Sequence, residues 1–289
     1  MDDVCLELGV SQRKACRILD QSRSTQRYEL TLPVKDATIL EAISRQLNKR
    51  PRYGYRRITI ELRKDGWYVN FKRIYRIWRD YGLKGYMPRR RSKRWCGCSD
   101  NACNKKRAEY INHVWSYDFM TEWLENGRKA KLLNVIDEFT RESLAVDVGR
   151  RITSTDVIEV LRYLFLVRGE PAYIRSDNGP EFTAKKVKKW LKKMGVKTLF
   201  IEPGSPWENG YIESFNAHLR DELLDREIFM HLDELRYVVE RWRMDYNHRR
   251  PHSSLGYMTP AVFAATCIGP DSATLRQSQY IGNVSEILS

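Results

Sequence analysis

An alternation of extended and helical sequence patterns limits the fold of this chain more than any other feature. After residue 110, three runs rich in β-branched and aromatic residues are followed by alternating helix-periodic and extended segments. The order βββαβαβα predicts an α/β fold, in which helices flank a mixed sheet. In chain order we expect strands within 113–123 and 131–148, a helix at 154–167, a strand at 172–176, a helix at 184–194, a strand at 196–201 and a helix at 209–224.

Positive charge is concentrated at the start of the chain. Residues 1–110 hold 27 Lys and Arg against 12 Asp and Glu, a net charge of +15, whereas residues 111–289 hold 24 against 25, a net charge of −1. A basic module followed by a neutral one predicts that the basic module binds phosphates and that the neutral module carries out chemistry on them. We therefore expect a polyanionic partner, double-stranded DNA, and a domain boundary near residue 110.

Composition excludes several classes of protein. With 42% hydrophobic residues the chain can bury a core, so it is not expected to be mainly disordered. No apolar run approaches the ~20 residues that cross a bilayer, so we expect a cytoplasmic protein without a membrane partner. The six cysteines are expected to be reduced. The spacing of Cys96, Cys98 and Cys103 departs from the usual zinc knuckle, and their role stays open.

The sequence of the basic module predicts helical DNA-binding elements. Residues 1–30 resemble half of a helix-turn-helix, with Ser11 as an N-cap and an apolar stripe of Ala15, Ile18 and Leu19. Residues 36–85 form the stronger case. There one helix ends at Gly66 and a second begins after Asn70. The second helix carries four basic residues mostly opposite its apolar stripe, and a basic linker at 86–110 follows. The predicted DNA contacts of this module are Lys72, Arg73, Arg76, Arg79, Arg89, Arg90 and Arg91, with solvated surface charge as the alternative.

Three carboxylates stand out in the second module. Asp118 lies in a predicted strand, Asp177 ends another at an Asp-Asn-Gly-Pro turn, and Glu213 borders the apolar stripe of the last helix. Carboxylates gathered at close range need cations, and hard oxygen ligands favour Mg²⁺ or Mn²⁺. Asp137 is not expected to be a ligand, because a turn at the end of its strand explains it.

The spacing of these acids is specific. Asp177 and Glu213 are separated by 35 residues, and Arg220 lies seven beyond Glu213. The segments WSYDFMTEW, SDNGPEF, PGSPWENGYIESFNAHLRDEL and YNHRRPHSSLGYMTP resemble the DDE transposases of the IS3 family and, more distantly, retroviral integrases. Together with the segments PRYGYRRI and GLKGYMPRRR, the resemblance covers roughly residues 36–263. It implies an RNase H-like catalytic core at 111–265 and a product of the second reading frame. After about Cys267 the residues are small and polar with no strong pattern, so we expect a loose tail at 266–289.

The resemblance also implies an activity. We expect a Mg²⁺-dependent polynucleotidyl transferase in which Asp118, Asp177 and Glu213 hold two metal ions. Water frees a 3′-OH at the end of an insertion sequence, and that hydroxyl attacks a second phosphodiester in target DNA. Arg220 is expected to orient Glu213 or to contact a phosphate. Because two ends must meet, the family implies a homo-oligomer on DNA, at least a dimer, and an upstream-frame protein is a further expected partner.

Several interpretations stay open on the sequence alone. The lysines between positions 185 and 193 are either a solvated face or a phosphate-binding ridge. Arg250, in the segment from His248 to His252, either touches DNA ends or packs within the fold. Trp207 and Tyr211 either stack on a base or belong to the core. A DNA-binding regulator with an idle core and a plain nuclease are the alternative functions. Retention of all three acids disfavours the first, and the long basic module disfavours the second.

Overall fold

The structure is a computed structural model that describes residues 2–7, 9–26, 32–83, 107–176, 184–200 and 209–267. The chain divides into two compact units, Met1–Tyr86 and Met87–Ser289. Several residues singled out in the sequence lie outside the described part of the chain. They are Arg89, Arg90, Arg91, Cys96, Cys98, Cys103, Asp177 and Trp207.

The described part of the first unit is helical. Its elements are α1 (Asp2–Glu7), α2 (Gln12–Ile18), α3 (Arg23–Gln26), α4 (Leu32–Lys49), α5 (Tyr55–Lys64) and α6 (Phe71–Asp80). The turn between α5 and α6 contains Gly66 at a φ of +88°, a conformation that favours glycine. Asn70 caps α6, because its side chain accepts a hydrogen bond from the backbone N–H of Lys72 at 2.9 Å. The predicted helix-turn-helix is confirmed.

Helices α4, α5 and α6 enclose one apolar core. Its buried side chains are Ile39, Ala42, Ile43, Tyr53, Ile58, Leu62, Val69, Ile74 and Ile77. A buried ionic contact joins α4 to α6, since Asp36 of α4 accepts hydrogen bonds from the guanidinium groups of Arg73 and Arg76. The two cations compensate a carboxylate that would otherwise be costly to bury.

The short helix α2 departs from the expected apolar stripe. Ser11 caps it as predicted, and Ala15 and Cys16 are buried. Ile18 and Leu19, which the sequence pattern grouped with Ala15, are instead 69% and 50% exposed. The helix has seven residues and ends at Ile18, with Leu19 as its C-cap.

The described part of the second unit contains a five-stranded mixed sheet with flanking helices, which confirms the predicted class. Its elements are β1 (Val114–Trp123), β2 (Lys129–Asp137), β3 (Ser143–Gly149), α7 (Ser154–Arg168), β4 (Tyr173–Ser176), α8 (Lys185–Lys193), β5 (Lys197–Phe200), α9 (Gly210–Leu219), a π-helical segment (Arg220–Leu224), α10 (Leu232–His248), a 3₁₀ turn (Ser253–Leu255) and α11 (Pro260–Cys267). The strand order is β3-β2-β1-β4-β5. The first three strands are antiparallel, and β4 and β5 run parallel to β1.

Each face of the sheet has its own core. On one face, Met120, Leu132 and Ile136 pack against α9, the π-helical segment and α10. On the other face, Trp115 and Leu133 join a cluster that includes residues of α7 and α8. Because side chains alternate along a strand, Asp118 shares the first face with Met120. Among the described helices, none is long and apolar enough to cross a membrane.

Candidate active site

Asp118 lies on β1, the central strand of the sheet, and faces α9. It is opposite Asn134 in the antiparallel register with β2. Its carboxylate accepts two hydrogen bonds of 2.8 Å, one at Oδ1 from the backbone N–H of Phe119 and one at Oδ2 from the Nδ2 of Asn216. These two donors on opposite oxygens hold the carboxylate in one orientation.

Asn216 connects Asp118 to a buried amide on β2. The Nδ2 of Asn134 donates to the Oδ1 of Asn216 at 2.7 Å. Asn134 is 0% exposed, and its own Oδ1 has no hydrogen-bond partner within the described structure. The three side chains therefore form a chain of hydrogen bonds that runs from Asn134 on β2 through Asn216 on α9 to Asp118 on β1.

Glu213 lies in the first turn of α9, three residues before Asn216. The buried side chains of Ile212, Phe215 and Leu219 anchor that helix on the sheet and leave Glu213 on its exposed side. Residues three apart are neighbours on a helix, so Glu213 lies one turn from the residue that touches Asp118. A negative charge is favoured in the first turn, where backbone N–H groups point outward.

The third predicted acid, Asp177, follows the end of β4 at Ser176 and lies outside the described residues. Strand β4 is parallel to β1, with Ser116 opposite Arg175. Within the described ranges, no three His, Cys, Asp or Glu side chains come together as a metal site. The structure thus brings Asp118 and Glu213 onto adjacent elements, and the three-acid site remains a prediction.

A buried ion pair lies beside Asp118 on the same face of the sheet. The Nε of Arg175 is 2.9 Å from the Oε1 of Glu138, and Ser116, two residues before Asp118, donates its hydroxyl to the same oxygen. Burial raises the pKa of Glu138, and the charge of Arg175 opposes that rise. Sequence reasoning missed this pair. The available signal was Arg175, a charged residue within a short apolar strand.

Asp137 holds the turn at the end of β2 by accepting backbone hydrogen bonds. Its fully buried carboxylate accepts hydrogen bonds from the backbone N–H groups of Asn112, Phe139 and Thr140, at 2.8, 2.7 and 3.1 Å. Burial raises the pKa of Asp137 above its ordinary value, and the backbone donors act against that rise. These contacts agree with the turn role expected from the sequence.

Arg220 does not contact Glu213, so the expectation that it orients this residue is wrong. Its guanidinium donates to the backbone oxygen of Thr121 at 3.1 Å and pairs with Glu122 at 3.5 Å, both on β1. Arg220 starts the π-helical segment, seven positions after Glu213 and about 10 Å from it along the helix. Its side chain is partly exposed, and its contact with a phosphate remains a prediction.

Arg250 is a packed residue, which corrects the prediction that it contacts DNA. It is 2% exposed, and its guanidinium holds the carboxylate of Glu222 with contacts of 3.0 and 2.6 Å. The guanidinium also lies 5.5 Å from the ring centre of Tyr246. A buried pair of this kind leaves no donor at the surface for a phosphate, so the packing alternative is the correct one.

The other predicted DNA contacts differ in their surroundings. Lys72 and Arg79 of α6 are exposed, whereas Arg73 and Arg76 are partly buried against Asp36. Tyr211 is partly buried, and the guanidinium of Arg141 lies 3.7 Å from its ring centre. All six lysines of α8 are exposed, while Val187 and Leu191 hold that helix to the core.

Comparison with known proteins identifies the family. The Integrase core domain family matches residues 109–206 and 194–260, and the HTH-like domain family matches residues 33–91. A 31.7 kDa protein of insertion element IS407 from Burkholderia multivorans is 38% identical over 90% of this chain and 92% of its own length. The transposase InsF for insertion sequence IS3A from Escherichia coli is 26% identical over 79% of this chain and 81% of its own length. The catalytic core domain of HTLV-2 integrase, in complex with magnesium, aligns with a TM-score of 0.44 at 20% identity over 55% of this chain and 99% of that one. The chain belongs to the integrase-core transposases of insertion sequences, the IS3 family that its motifs resemble.

Proposed function

We propose that this transposase cleaves DNA at the ends of its insertion sequence and joins the freed strand to target DNA. The observation that carries the proposal is the placement of Asp118, a carboxylate held by two N–H donors on the central strand, beside the helix that presents Glu213. Asp177, which follows directly after β4, would complete the set at the same edge of the sheet.

The donor chemistry fits Mg²⁺ or Mn²⁺. Asp118 and Glu213 offer only oxygen atoms, and Glu213 is exposed without an ion pair among the described residues. Oxygen ligands are those that these hard cations prefer. We propose that Asp118, Asp177 and Glu213 hold two such ions, which would lower the pKa of the attacking water or hydroxyl and neutralise charge on the phosphate.

The chain's own residues would orient the site and the DNA. Asp118 is fixed by Phe119 and Asn216, so little reorganisation of its carboxylate is needed during the reaction. The helix-turn-helix would grip double-stranded DNA, with Lys72 and Arg79 as the exposed cations of α6. We further propose that at least two copies act together on paired ends, because each insertion has two ends to join.

Asp118→Asn tests the role of this carboxylate. Asparagine keeps the size of the side chain but removes the charge that a cation needs. We expect Mg²⁺-dependent cleavage of a labelled duplex, bearing the sequence that borders the gene in its genome, to fall by at least a hundredfold, with duplex affinity unchanged. Asp147→Asn, on the edge strand β3, is the matched control and should keep full activity. Equal cleavage by wild type and Asp118→Asn would remove Asp118 from the site.

A further inference from the structure

We propose that Asn134 is a positioning residue for Asp118 and acts through the side chain of Asn216. The inference rests on the proposed role of Asp118 as a metal ligand. Asn134 would then influence the metal affinity of the site from β2, without contacting the metal or DNA itself.

The burial of Asn134 is not explained by a contribution to the stability of the fold. It lies on β2 between Leu132 and Ile136, on the face of the sheet that packs against α9, and it is completely buried. Asparagine is a poor strand former, and a buried amide costs free energy unless its polar atoms are paired. Within the described structure, one end of this amide is paired with Asn216, and the Oδ1 at the other end is not. An aliphatic side chain would stabilise this position more.

The direction of the hydrogen bonds gives a reason for the burial of Asn134. A side-chain amide donates at its nitrogen and accepts at its oxygen. Because Asn134 donates to the oxygen of Asn216, the nitrogen of Asn216 is directed at the carboxylate of Asp118. The reverse orientation of Asn216 would set its oxygen against the Oδ2 of Asp118, where two acceptors repel. The hydrogen bond from Asn134 therefore reinforces the orientation of Asn216 that supports an ionised Asp118.

The same contacts set the position of α9. Asn134 and Asp118 face each other across β2 and β1, and Asn216 bonds to both from the helix. Glu213 is on that helix, one turn away. A single amide thus links the orientation of Asp118 to the position of the helix that carries the next proposed ligand. Residues that orient a metal ligand in this way typically change metal affinity by about 10–100-fold when they are replaced.

Asn134→Leu is the direct test, since leucine has the same branched side chain of four heavy atoms but cannot donate a hydrogen bond. We expect the Mn²⁺ concentration that half-saturates the DNA-bound protein, measured by electron paramagnetic resonance, to rise about tenfold. The affinity for DNA should not change, and the thermal midpoint should stay level or increase. A purely structural role would instead lower the midpoint and leave Mn²⁺ binding of the folded protein intact.

A double-mutant cycle tests whether Asn134 and Asn216 affect Mn²⁺ binding through the same hydrogen-bond chain or independently. Asn216→Leu, at a partly exposed helical position where folding is less at risk, should weaken Mn²⁺ binding at least as much as Asn134→Leu. The double variant should be no worse than Asn216→Leu alone, because the two amides act in series. Additive losses would overturn the inference, and so would normal Mn²⁺ binding by Asn134→Leu.

Asp118→Asn in the same assay distinguishes this inference from the proposed function. If Asp118→Asn loses Mn²⁺ binding while Asn134→Leu and Asn216→Leu keep it, the positioning role is wrong and the proposed metal site stands. If Asp118→Asn binds Mn²⁺ as wild type does, the ligand assignment fails, and the positioning role fails with it. Asp147→Asn should match wild type in every measurement.

Discussion

Asp137 shows what a buried carboxylate contributes to this fold when it is not a ligand. Its two oxygens accept three backbone N–H groups from the segments that flank the end of β2. Those donors would otherwise be buried without partners, which costs about 1–3 kcal/mol each. Desolvation is the larger influence on the pKa of Asp137 and raises it, so the backbone bonds offset the burial of this carboxyl only in part.

Asp137→Asn should destabilise the protein by about 1–3 kcal/mol. Asparagine can still accept from Phe139 and Thr140 at its one oxygen, but its nitrogen would face the N–H of Asn112, and two donors would oppose each other. Urea unfolding at pH 7 measures the change in the free energy of unfolding. Asp147→Asn, which is not in such a turn, should stay within about 0.5 kcal/mol of wild type. An equally small effect at Asp137 would contradict the turn role.

Single residues also mark how far sequence reasoning reaches. Asp118 and Glu213 were selected by spacing and motif, and the structure places them on adjacent elements. Arg250 was a candidate DNA contact because it stands in a basic run, yet it is buried against Glu222. A charge pattern does not predict that Arg250 pairs with the carboxylate of Glu222, 28 positions away in sequence. That pairing depends on how the π-helical segment packs against the end of α10.

Helix α7 begins with a capping box that its sequence encodes. The side chain of Asp156 accepts hydrogen bonds from the backbone N–H and the hydroxyl of Thr153, at 2.6 and 2.8 Å. These bonds favour the ionised carboxylate and lower the pKa of Asp156 below its ordinary value. The box fixes the start of a helix whose residues Val157 and Leu161 pack on the sheet.

Asp156→Ala should lower the free energy of unfolding by about 1 kcal/mol at pH 7. Because the pKa is depressed in the folded state, the ionic part of this contribution is present above the unfolded pKa of about 3.9 and is lost as the pH falls through the folded value. The difference between variant and wild type should therefore shrink in acid. Urea unfolding between pH 7 and pH 3 tests this, with Glu159→Gln on the same helix as a control. A difference that does not change with pH would exclude the ionic contribution.

Helix α9 illustrates how far periodicity reaches. The sequence predicted a helix over 209–224 with Ile212, Phe215, Leu219 and Leu223 on its apolar stripe, and all four side chains are buried. It did not predict that the α-helix ends at Leu219. The stripe continues in register across the change to the π-helical segment, where the N–H of Asp225 bonds to the oxygen of Arg220 at 2.8 Å. A change in backbone hydrogen bonding that keeps the same residues buried leaves no mark on a hydrophobic pattern.

The distribution of charge over the whole molecule gives α8 a special place. Residues 111–289 have a net charge of −1, but α8 carries six exposed lysines and no acidic residue. Like charges three and four residues apart destabilise a helix, and lysines near its start oppose the backbone dipole. An anionic partner would relieve both effects, which favours the phosphate-binding ridge over the solvated face.

Neutralising this face should reduce the salt dependence of DNA binding. If Lys185, Lys189 and Lys192 each meet a phosphate, changing all three to Gln should lower the slope of log affinity against log salt by about 0.9 for each phosphate that the protein no longer neutralises. Fluorescence anisotropy with a duplex of unrelated sequence measures the slope. The same three positions changed to Arg should keep it. A slope that stays at the wild-type value in the Gln variant would leave the lysines as a solvated face.

At the scale of the whole molecule, sequence patterns predicted most of the fold. Strand and helix order follows from hydrophobic periodicity, and the helix-turn-helix follows from Gly66 and Asn70 between two apolar stripes. Strand order and the placement of Asn134 against Asn216 could not be predicted, because both depend on contacts between residues far apart in sequence, 82 positions for the two asparagines. The hydrogen bonds that hold Asp118 are therefore the part of the proposed site that only the three-dimensional fold reveals.

Glu213→Gln tests the central claim most directly, in a strand-transfer assay with labelled insertion-sequence ends, a target duplex and Mg²⁺ or Mn²⁺. We predict joined products from wild type and none from the variant, with DNA affinity unchanged, because glutamine keeps the helix but removes the charge of the proposed ligand. Glu227→Gln, at an exposed position beyond the π-helical segment, should join strands normally. Equal strand transfer by Glu213→Gln and wild type would contradict the account.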